Sequence, residues 1–148
     1  MRASKEVGLG HVYRALSLSH EILEHEVIFV CDKNSEQDVI SVVGTDNPVF
    51  SYADPEIAKG ILDIGATLVI NDILDTSRHY IEQLQKNGVK TINFEDLGEG
   101  AVTSDVCIND LYDVPKFTSD GVLWGHQYFF VRDEFESATV NIFQEKVK

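Results

Sequence analysis

Hydrophobic residues along this chain follow two patterns that alternate from one end to the other. Short continuous apolar runs are typical of strands that are buried on both faces of a sheet. Between these runs, apolar residues three or four positions apart are typical of amphipathic helices. This alternation predicts a parallel, doubly wound α/β sheet of the Rossmann-like class. Strands are predicted at 27–31, 49–52, 67–70, 89–94 and 105–108, and helices at 11–25, 34–43, 55–65 and 76–87, the last capped by Thr76.

The start of the chain departs from this pattern. A glycine turn, Gly8-Leu9-Gly10, leads into the first helix, and such a turn normally follows a buried strand. Residues 2–6, Arg-Ala-Ser-Lys-Glu, are polar and do not resemble a buried strand. We therefore expect that the first strand is truncated or that the domain lacks it. The exposed sheet edge that this leaves would favour a homodimer.

The end of the chain also loses the alternation, because the segment after Leu111 has the pattern of a loop. We expect the Rossmann-like domain to cover residues 1–137. Residues 138–148 are expected to form a linker or a terminal helix.

The glycine turn carries the candidate chemistry. His11 and Arg14 stand on the first helical turn, where backbone N–H groups have no partner within the helix. These groups and the helix dipole attract negative charge and favour a neutral histidine that can act as a base. A helix cap and a surface arginine are the structural alternative. Tyr13 stands where the dinucleotide fingerprint has its third glycine, so no nicotinamide cofactor is predicted.

Polar side chains follow the predicted strands at one edge of the sheet. Asp72, the Glu95-Asp96 pair and Asn109 each come at or just after a strand's carboxyl end. Ligands of open α/β sheets bind at that edge. These residues are therefore predicted to form a polar rim around one cleft with His11, although each alone could be a turn or cap residue.

Composition narrows the functional classes. The formal net charge is −13, and no Lys/Arg cluster offsets it, which opposes binding to nucleic acid or to an anionic membrane surface. No apolar run is long enough to span a bilayer, and the N-terminus does not resemble a signal peptide. Cys31 and Cys107 lie in apolar runs and are predicted to be buried free thiols, which points to the cytoplasm. The scattered histidines show no metal-binding spacing.

Four segments together resemble a known family. Residues 8–14, Gly-Leu-Gly-His-Val-Tyr-Arg, are similar to the G-x-G-H-x-x-R signature of the UDP-sugar hydrolases of the pseudaminic acid pathway and of related spore coat polysaccharide biosynthesis proteins. Residues 69–72 resemble the strand with that family's central aspartate, and residues 93–97 its isoleucine-Asp-Asp-leucine segment. Residues 125–135 resemble its closing motif. The four matches occur in the family's order across almost the whole chain.

The resemblance implies a glycosyltransferase-B architecture, of which this chain is the N-terminal half. It implies that His11 activates water for attack at the anomeric carbon, that UDP is released, and that no metal or other cofactor is required. UDP would be held mainly by an absent C-terminal domain, so the isolated chain is expected to be nearly inactive. The implied substrate-binding residues are Gly8, Gly10, Arg14, Asp72, Glu95, Asp96, Asn109, Tyr128 and Arg132.

Departures from the family's pattern leave the sugar undetermined. Leu74 stands where the family often has tyrosine, and His126 where proline is usual. Three alternatives stay open: a glycosyltransferase domain that activates a hydroxyl acceptor, an accessory domain fused to an acylneuraminate cytidylyltransferase, and a binding module without catalysis.

Overall fold

A computed structural model of the protein describes residues 8–129. These residues form two parallel sheets flanked by helices, so the Rossmann-like α/β prediction is confirmed. The two-stranded sheet pairs β1 with β2, and the four-stranded sheet has the order β3-β4-β5-β6. The strands are β1 (Phe29–Asp32), β2 (Val49–Tyr52), β3 (Leu68–Asp72), β4 (Lys90–Phe94), β5 (Val106–Asn109) and β6 (Val122–Trp124).

Within residues 8–129, four α-helices precede or connect the strands: α1 (Gly10–Glu21), α2 (Glu36–Val43), α3 (Ile57–Ile64) and α4 (Arg78–Lys86). A single 3-10 turn with Pro55 in its first positions leads into α3, and Gly65 ends α3 in the left-handed conformation at φ +81°. Ser77, rather than the predicted Thr76, caps α4 by accepting a 3.2 Å hydrogen bond from the Tyr80 backbone N–H. Thr76 is unavailable as a cap because its hydroxyl donates to Asp96.

The chain winds outward in two directions from the gap between β1 and β3. It passes from β1 through α2 to β2 on one side, and from β3 through α4 to β4, β5 and β6 on the other. This reversal is the topological switch point of a doubly wound fold. Among residues 8–129, no strand occupies the gap.

The core is divided between the two sheets. One cluster packs α1 and α2 onto β1 through Val12, Phe29, Cys31, Val39 and Val43. The other packs α3 and α4 together through Ala58, Ile61, Leu84 and Val89. Both cysteines are buried free thiols, as predicted, and burial raises the pKa of Cys107 to about 12.

Most element boundaries differ from the prediction by one or two residues, and two differences are larger. Helix α1 ends at Glu21, not at residue 25, because Ile22 leaves the helical conformation; Leu23 is 85% exposed and has no core to join. The segment after Leu111 is not all loop, since its residues include β6, which pairs in parallel with β5. A three-residue strand is too short to show a hydrophobic period.

The strands beside the gap are less buried than their apolar sequences predict. Val27, Ile28 and Val30 are only half-buried, and Leu68 at the start of β3 is 47% exposed. The expectation that these runs are buried on both faces is wrong at these four residues, because no strand of residues 8–129 lies between β1 and β3. No helix in residues 8–129 combines the length and hydrophobicity needed to cross a bilayer.

Candidate functional site

The glycine turn and the first turn of α1 lie at the carboxyl edge of the sheets. Gly8 has φ +115°, a conformation that L side chains rarely adopt, which explains glycine at this position. Gly10 is the first residue of α1, and a Cβ there would meet no described atom within 4 Å. Packing within residues 8–129 therefore does not require glycine at position 10, and none of these residues fills the space beside it.

Asp72, at the end of β3, joins the two candidate side chains of α1. His11 Nδ1 lies 2.6 Å from Asp72 Oδ1. Arg14 donates from Nε to Oδ2 at 2.7 Å and from Nη2 to Oδ1 at 2.9 Å, a two-pronged contact. Asp72 is only 4% exposed. The carboxylate thus fixes both the imidazole and the guanidinium, and it links α1 to the four-stranded sheet.

Arg14 faces two further acidic side chains. Its Nη1 atom lies 3.5 Å from Asp110 Oδ1 and 3.9 Å from Glu95 Oε1. The guanidinium also lies 5.4 Å from the centre of the Phe94 ring, within the range of a cation–π contact. These contacts favour an orienting role for Arg14, because its donors are directed at protein carboxylates.

Glu95 and Asp110 form a buried carboxyl pair. Glu95 has a left-handed backbone, φ +54°, and its Oε1 accepts from the backbone N–H groups of Asp110 at 2.8 Å and Leu111 at 3.2 Å. Within the described residues, Glu95 Oε2 and both Asp110 carboxyl oxygens have no hydrogen-bond partner. Burial, followed by the contact with Asp110, raises the pKa of Glu95 to about 7. A proton shared by the two groups would supply the missing donor.

His11 has the arrangement of a general base held by a carboxylate. When the Nδ1–H donates to Asp72, the other ring nitrogen, Nε2, carries the lone pair that can accept a proton. The His11 side chain is 23% exposed, so the ring is held on one side and still reachable by solvent. A water beside Nε2 could be deprotonated.

Asp96 and Asn109 lie behind this cluster, not on a rim. Asp96 accepts from Asn93 Nδ2 at 2.6 Å, from the Gly98 N–H at 2.8 Å and from both the backbone and the hydroxyl of Thr76. Asn109 donates to the Asp96 backbone carbonyl at 3.1 Å. Both side chains are fully buried. Their predicted contact with substrate is not favoured, because their polar groups are directed at the protein.

A buried chain of polar side chains supports β3 from within the sheet. Tyr80 donates to Asn71 Oδ1 at 2.8 Å, and Asn71 donates to Asn93 Oδ1 at 2.9 Å. Asn93 Nδ2 donates to the Thr76 hydroxyl oxygen at 3.0 Å and to Asp96 Oδ2. Burial raises the pKa of Tyr80 well above its usual value, so its phenol stays a donor. These hydrogen bonds fix the side chain of Asn71, which precedes Asp72 on β3.

The closing motif contributes less to the described site. Tyr128 lies in a 3-10 turn after β6 and is exposed, with its backbone N–H bonded to Gly125. The Gly125 N–H donates to the Asn109 carbonyl at 3.1 Å, which places this turn beside the carboxyl end of β5. Arg132 and the proposed domain boundary at residue 137 lie outside the described residues.

Asp110 is the site residue that sequence reasoning did not select. It follows Asn109 directly at the end of β5, so the strand-end argument applied to it equally well. Its partnership with Glu95 has no sequence signal, because the two residues follow different strands and are 15 positions apart. In residues 8–129, no three His, Cys, Asp or Glu side chains are arranged to hold a metal ion.

Comparison with known proteins gives one distant relative to report. The chain is 28% identical over 146 residues to "Uncharacterized protein MJ1062" of Methanocaldococcus jannaschii, an alignment that covers 89% of this chain. The chain spans 30% of that relative's length. No protein-family profile and no solved structure matches the chain.

Proposed function

We propose that this domain supplies one half of a site that processes UDP-linked sugars, with His11 as the base that activates water at the anomeric carbon. UDP is the leaving group, and the free sugar would serve nonulosonic-acid or surface polysaccharide synthesis. The sequence resemblance motivates the substrate class. The buried free thiols Cys31 and Cys107 support a reducing, cytoplasmic setting.

The contact between His11 and Asp72 is the observation that carries the proposal. A surface cap would not need a buried carboxylate 2.6 Å from its Nδ1 atom. Such a carboxylate selects one tautomer and stabilises the imidazolium that forms when the base takes a proton. A positioned base of this kind contributes about 10²–10⁴-fold to a rate.

Arg14 and the Glu95–Asp110 pair would keep this base in place. The guanidinium holds the Asp72 carboxylate through two donors, so the oxygen that faces His11 cannot rotate away. The carboxyl pair lies on the opposite side of the guanidinium. Arg14 is therefore proposed as a positioning residue, and the open space at Gly10 as the approach for the sugar.

The rest of the rate must come from binding and from stabilising the leaving diphosphate. Residues 8–129 offer few cations near His11, and Arg14 is already paired with carboxylates. We therefore propose that a second domain holds the UDP group. The 148-residue chain alone should turn over UDP-sugars very slowly, and rapid hydrolysis by it would refute the half-site.

The deciding experiment compares His11→Asn with His79→Asn in the full-length gene product, with a panel of UDP-sugars as substrates. His79 is an exposed histidine on α4 and serves as the matched control. We expect His11→Asn to lower kcat at least about 10²-fold with little change in KM, and His79→Asn to have no effect. Equal turnover by both variants would leave His11 with only a structural role as a partner of Asp72.

Product analysis separates the two catalytic alternatives. NMR of the reaction mixture should show free sugar of inverted anomeric configuration and UDP. A glycoside formed only with an added hydroxyl acceptor would instead identify a transferase that uses the same base. UDP-sugar binding without any turnover in the unmodified protein would indicate a binding module.

A further inference from the structure

Arg14 has acidic groups within reach of both of its terminal nitrogens, and it is bonded to only one of them. Nε and Nη2 donate to the Asp72 carboxylate at 2.7 and 2.9 Å. Nη1 lies 3.5 Å from Asp110 Oδ1 and 3.9 Å from Glu95 Oε1, which is too long for a good hydrogen bond. The guanidinium is therefore bonded to Asp72 and only faces the Glu95–Asp110 pair.

The carboxyl groups of this pair are buried with few donors. Both residues are at most 2% exposed. Glu95 Oε1 accepts from two backbone N–H groups, but within residues 8–129 Glu95 Oε2 and both Asp110 oxygens accept no hydrogen bond. A buried carboxylate that lacks donors loses its hydration without compensation. Two such groups side by side therefore favour a state in which they share one proton.

The titratable groups around the pair identify Arg14 as the one that responds to this proton. Within residues 8–129, the ion pairs of Glu95 and Asp110 are both with Arg14. If the pair were fully ionised, one guanidinium would face three negative charges, because Asp72 supplies the third. The pull of the pair on Nη1 thus depends on whether the proton is present.

The other titratable groups near the pair do not take this role. Burial raises the pKa of the Cys107 thiol on β5 to about 12, so the thiol is neutral at physiological pH. Asp96 follows Glu95 directly, but its carboxylate accepts from the backbone and the hydroxyl of Thr76. His11 contacts Asp72 rather than the pair.

We propose that the Glu95–Asp110 pair is a proton switch that decides which carboxylates Arg14 serves. With one shared proton, the pair has a single negative charge and Arg14 stays bonded to Asp72. When this proton leaves for the solvent, the second charge draws Nη1 towards the pair. A movement of about 0.7 Å brings Nη1 to the hydrogen-bond distance of Asp110. The bonds to Asp72 lengthen, because the guanidinium is planar and moves as one body.

The switch acts on His11 through Asp72. Arg14 holds the Asp72 carboxylate, and this carboxylate lies 2.6 Å from His11 Nδ1. When Arg14 withdraws, Asp72 can rotate, and the imidazole loses its fixed orientation. Orientation is a large part of what a positioned base contributes to a rate. As a control of catalysis this inference rests on the proposed function, whereas the movement of Arg14 does not.

The movement of Arg14 is tested without turnover, by NMR of the 148-residue chain. The probe is the nitrogen-15 chemical shift of Arg14 Nε, which donates to Asp72. The background is His11→Asn, so that no imidazole titrates beside Asp72. We expect the signal to move between about pH 6 and 8, with a midpoint near 7, because burial and the contact with Asp110 raise the pKa of Glu95 to about 7.

Three further substitutions in this background identify the source of the movement. Glu95→Gln should abolish it, because the pair then has a constant charge. Asp110→Asn should shift its midpoint to lower pH, because a like charge beside Glu95 is removed. The exposed Glu99→Gln is the control and should leave the movement unchanged.

A signal that stays constant between about pH 6 and 8, or that moves equally in Glu95→Gln, would overturn the proposal. If Glu95→Gln does not fold, Asp110→Asn decides, since an unchanged midpoint in that variant would also overturn it.

The control of catalysis is tested by turnover of UDP-sugars in the full-length gene product. From about pH 7 to about pH 8.5, kcat/KM of the unmodified protein should fall at least about fivefold, because the pair loses its proton in this range. In Glu95→Gln the value should change less than about twofold, and in Glu99→Gln it should fall as in the unmodified protein.

The two measurements separate this inference from the proposed function. An Arg14 signal that moves as expected in a protein without UDP-sugar hydrolysis would support the switch and refute the reaction. Hydrolysis that requires His11 but keeps its full alkaline fall in Glu95→Gln would support the reaction and refute the control by the pair.

Discussion

Residues 8–129 form two sheets whose strands have different surroundings. β1 and β3 both contain apolar runs, yet Val30 of β1 and Leu68 of β3 stay partly exposed beside the gap between these strands. β4 and β5 have neighbours on both sides and bury even polar residues such as Thr91 and Asn93 completely. Hydrophobic pattern thus determines which segments form strands, whereas burial depends on whether a neighbouring strand is supplied.

The candidate site lies across the junction of these two regions. His11 and Arg14 belong to the helix that packs on β1, and Asp72 belongs to β3 in the other sheet. The ion pairs between them are therefore tertiary contacts that hold the two regions together. Substitutions that separate the regions should have larger effects than substitutions within either one.

Asp72→Asn should have the largest effect, because it removes the charge that both α1 side chains share. Breaking a buried ion pair by neutralising one partner is expected to lower the free energy of unfolding by about 4 kcal/mol. Urea denaturation measures this change. Asp63→Asn, at an exposed position of α3, is the control and should stay within about 0.5 kcal/mol of the unmodified protein. Equal stabilities for the two variants would contradict a structural link through Asp72.

Asn93→Ala tests the buried polar side chains of the four-stranded sheet. The substitution removes one buried hydrogen bond from each of Asn71, Thr76 and Asp96. We expect a loss of about 3 kcal/mol, measured in the same denaturation experiment. The exposed Asn34→Ala should be nearly neutral. A small loss for Asn93→Ala would show that water can replace the polar chain.

Glu95→Gln tests the buried carboxyl pair through pH. Because the pKa of Glu95 is raised to about 7, the unfolded chain loses this proton at lower pH than the folded protein. Stability should therefore fall as pH rises from about 4.5 to 7, by about 2 kcal/mol. Glu95→Gln should remove this fall, and thermal unfolding at pH 5 and pH 8 measures it. The exposed Glu56→Gln should retain the fall; a fall of the same size in Glu95→Gln would exclude the pair as its source.

Asp105→Asn should have the smallest effect and the opposite pH dependence. Burial would raise the pKa of Asp105, but hydrogen bonds from Thr91 and the contact with Lys90 at 3.0 Å outweigh it and lower the pKa to about 2. Its stabilisation is present above about pH 4 and is lost as pH falls towards 2. Solvent screens this pair, so the loss at pH 7 should be below about 1 kcal/mol. A loss that persists unchanged at pH 2 would contradict the assignment.

Local sequence signals predicted most of the fold, because turn and cap residues mark the ends of its helices and strands. Strand β2 was predicted to the residue, and Gly65 and Gly88 mark helix ends by their positive φ values. Strand β6 was missed because its three residues pair only through contact with β5. The early end of α1 was missed because it depends on whether other elements pack against the predicted last turn, which the local sequence does not show.

The candidate site was predictable where topology alone brings residues together. The strand-end argument correctly placed Asp72 at the same edge as His11 and Arg14 at the start of α1. The strand-end argument could not separate the neighbours Glu95 and Asp96. Glu95 faces Arg14, whereas the Asp96 side chain accepts hydrogen bonds from Thr76 in the protein interior. The left-handed backbone of Glu95 separates their directions, and no sequence pattern encodes that dihedral angle.

The position of Asp72 makes the proposed base conditional on assembly. A partly folded chain in which α1 has not docked on β3 would have a histidine without its carboxylate and an arginine without its partner. The reactive arrangement would then exist only in molecules whose two regions have come together. The Asp72 carboxylate would thus make the activity of the proposed base depend on completed folding.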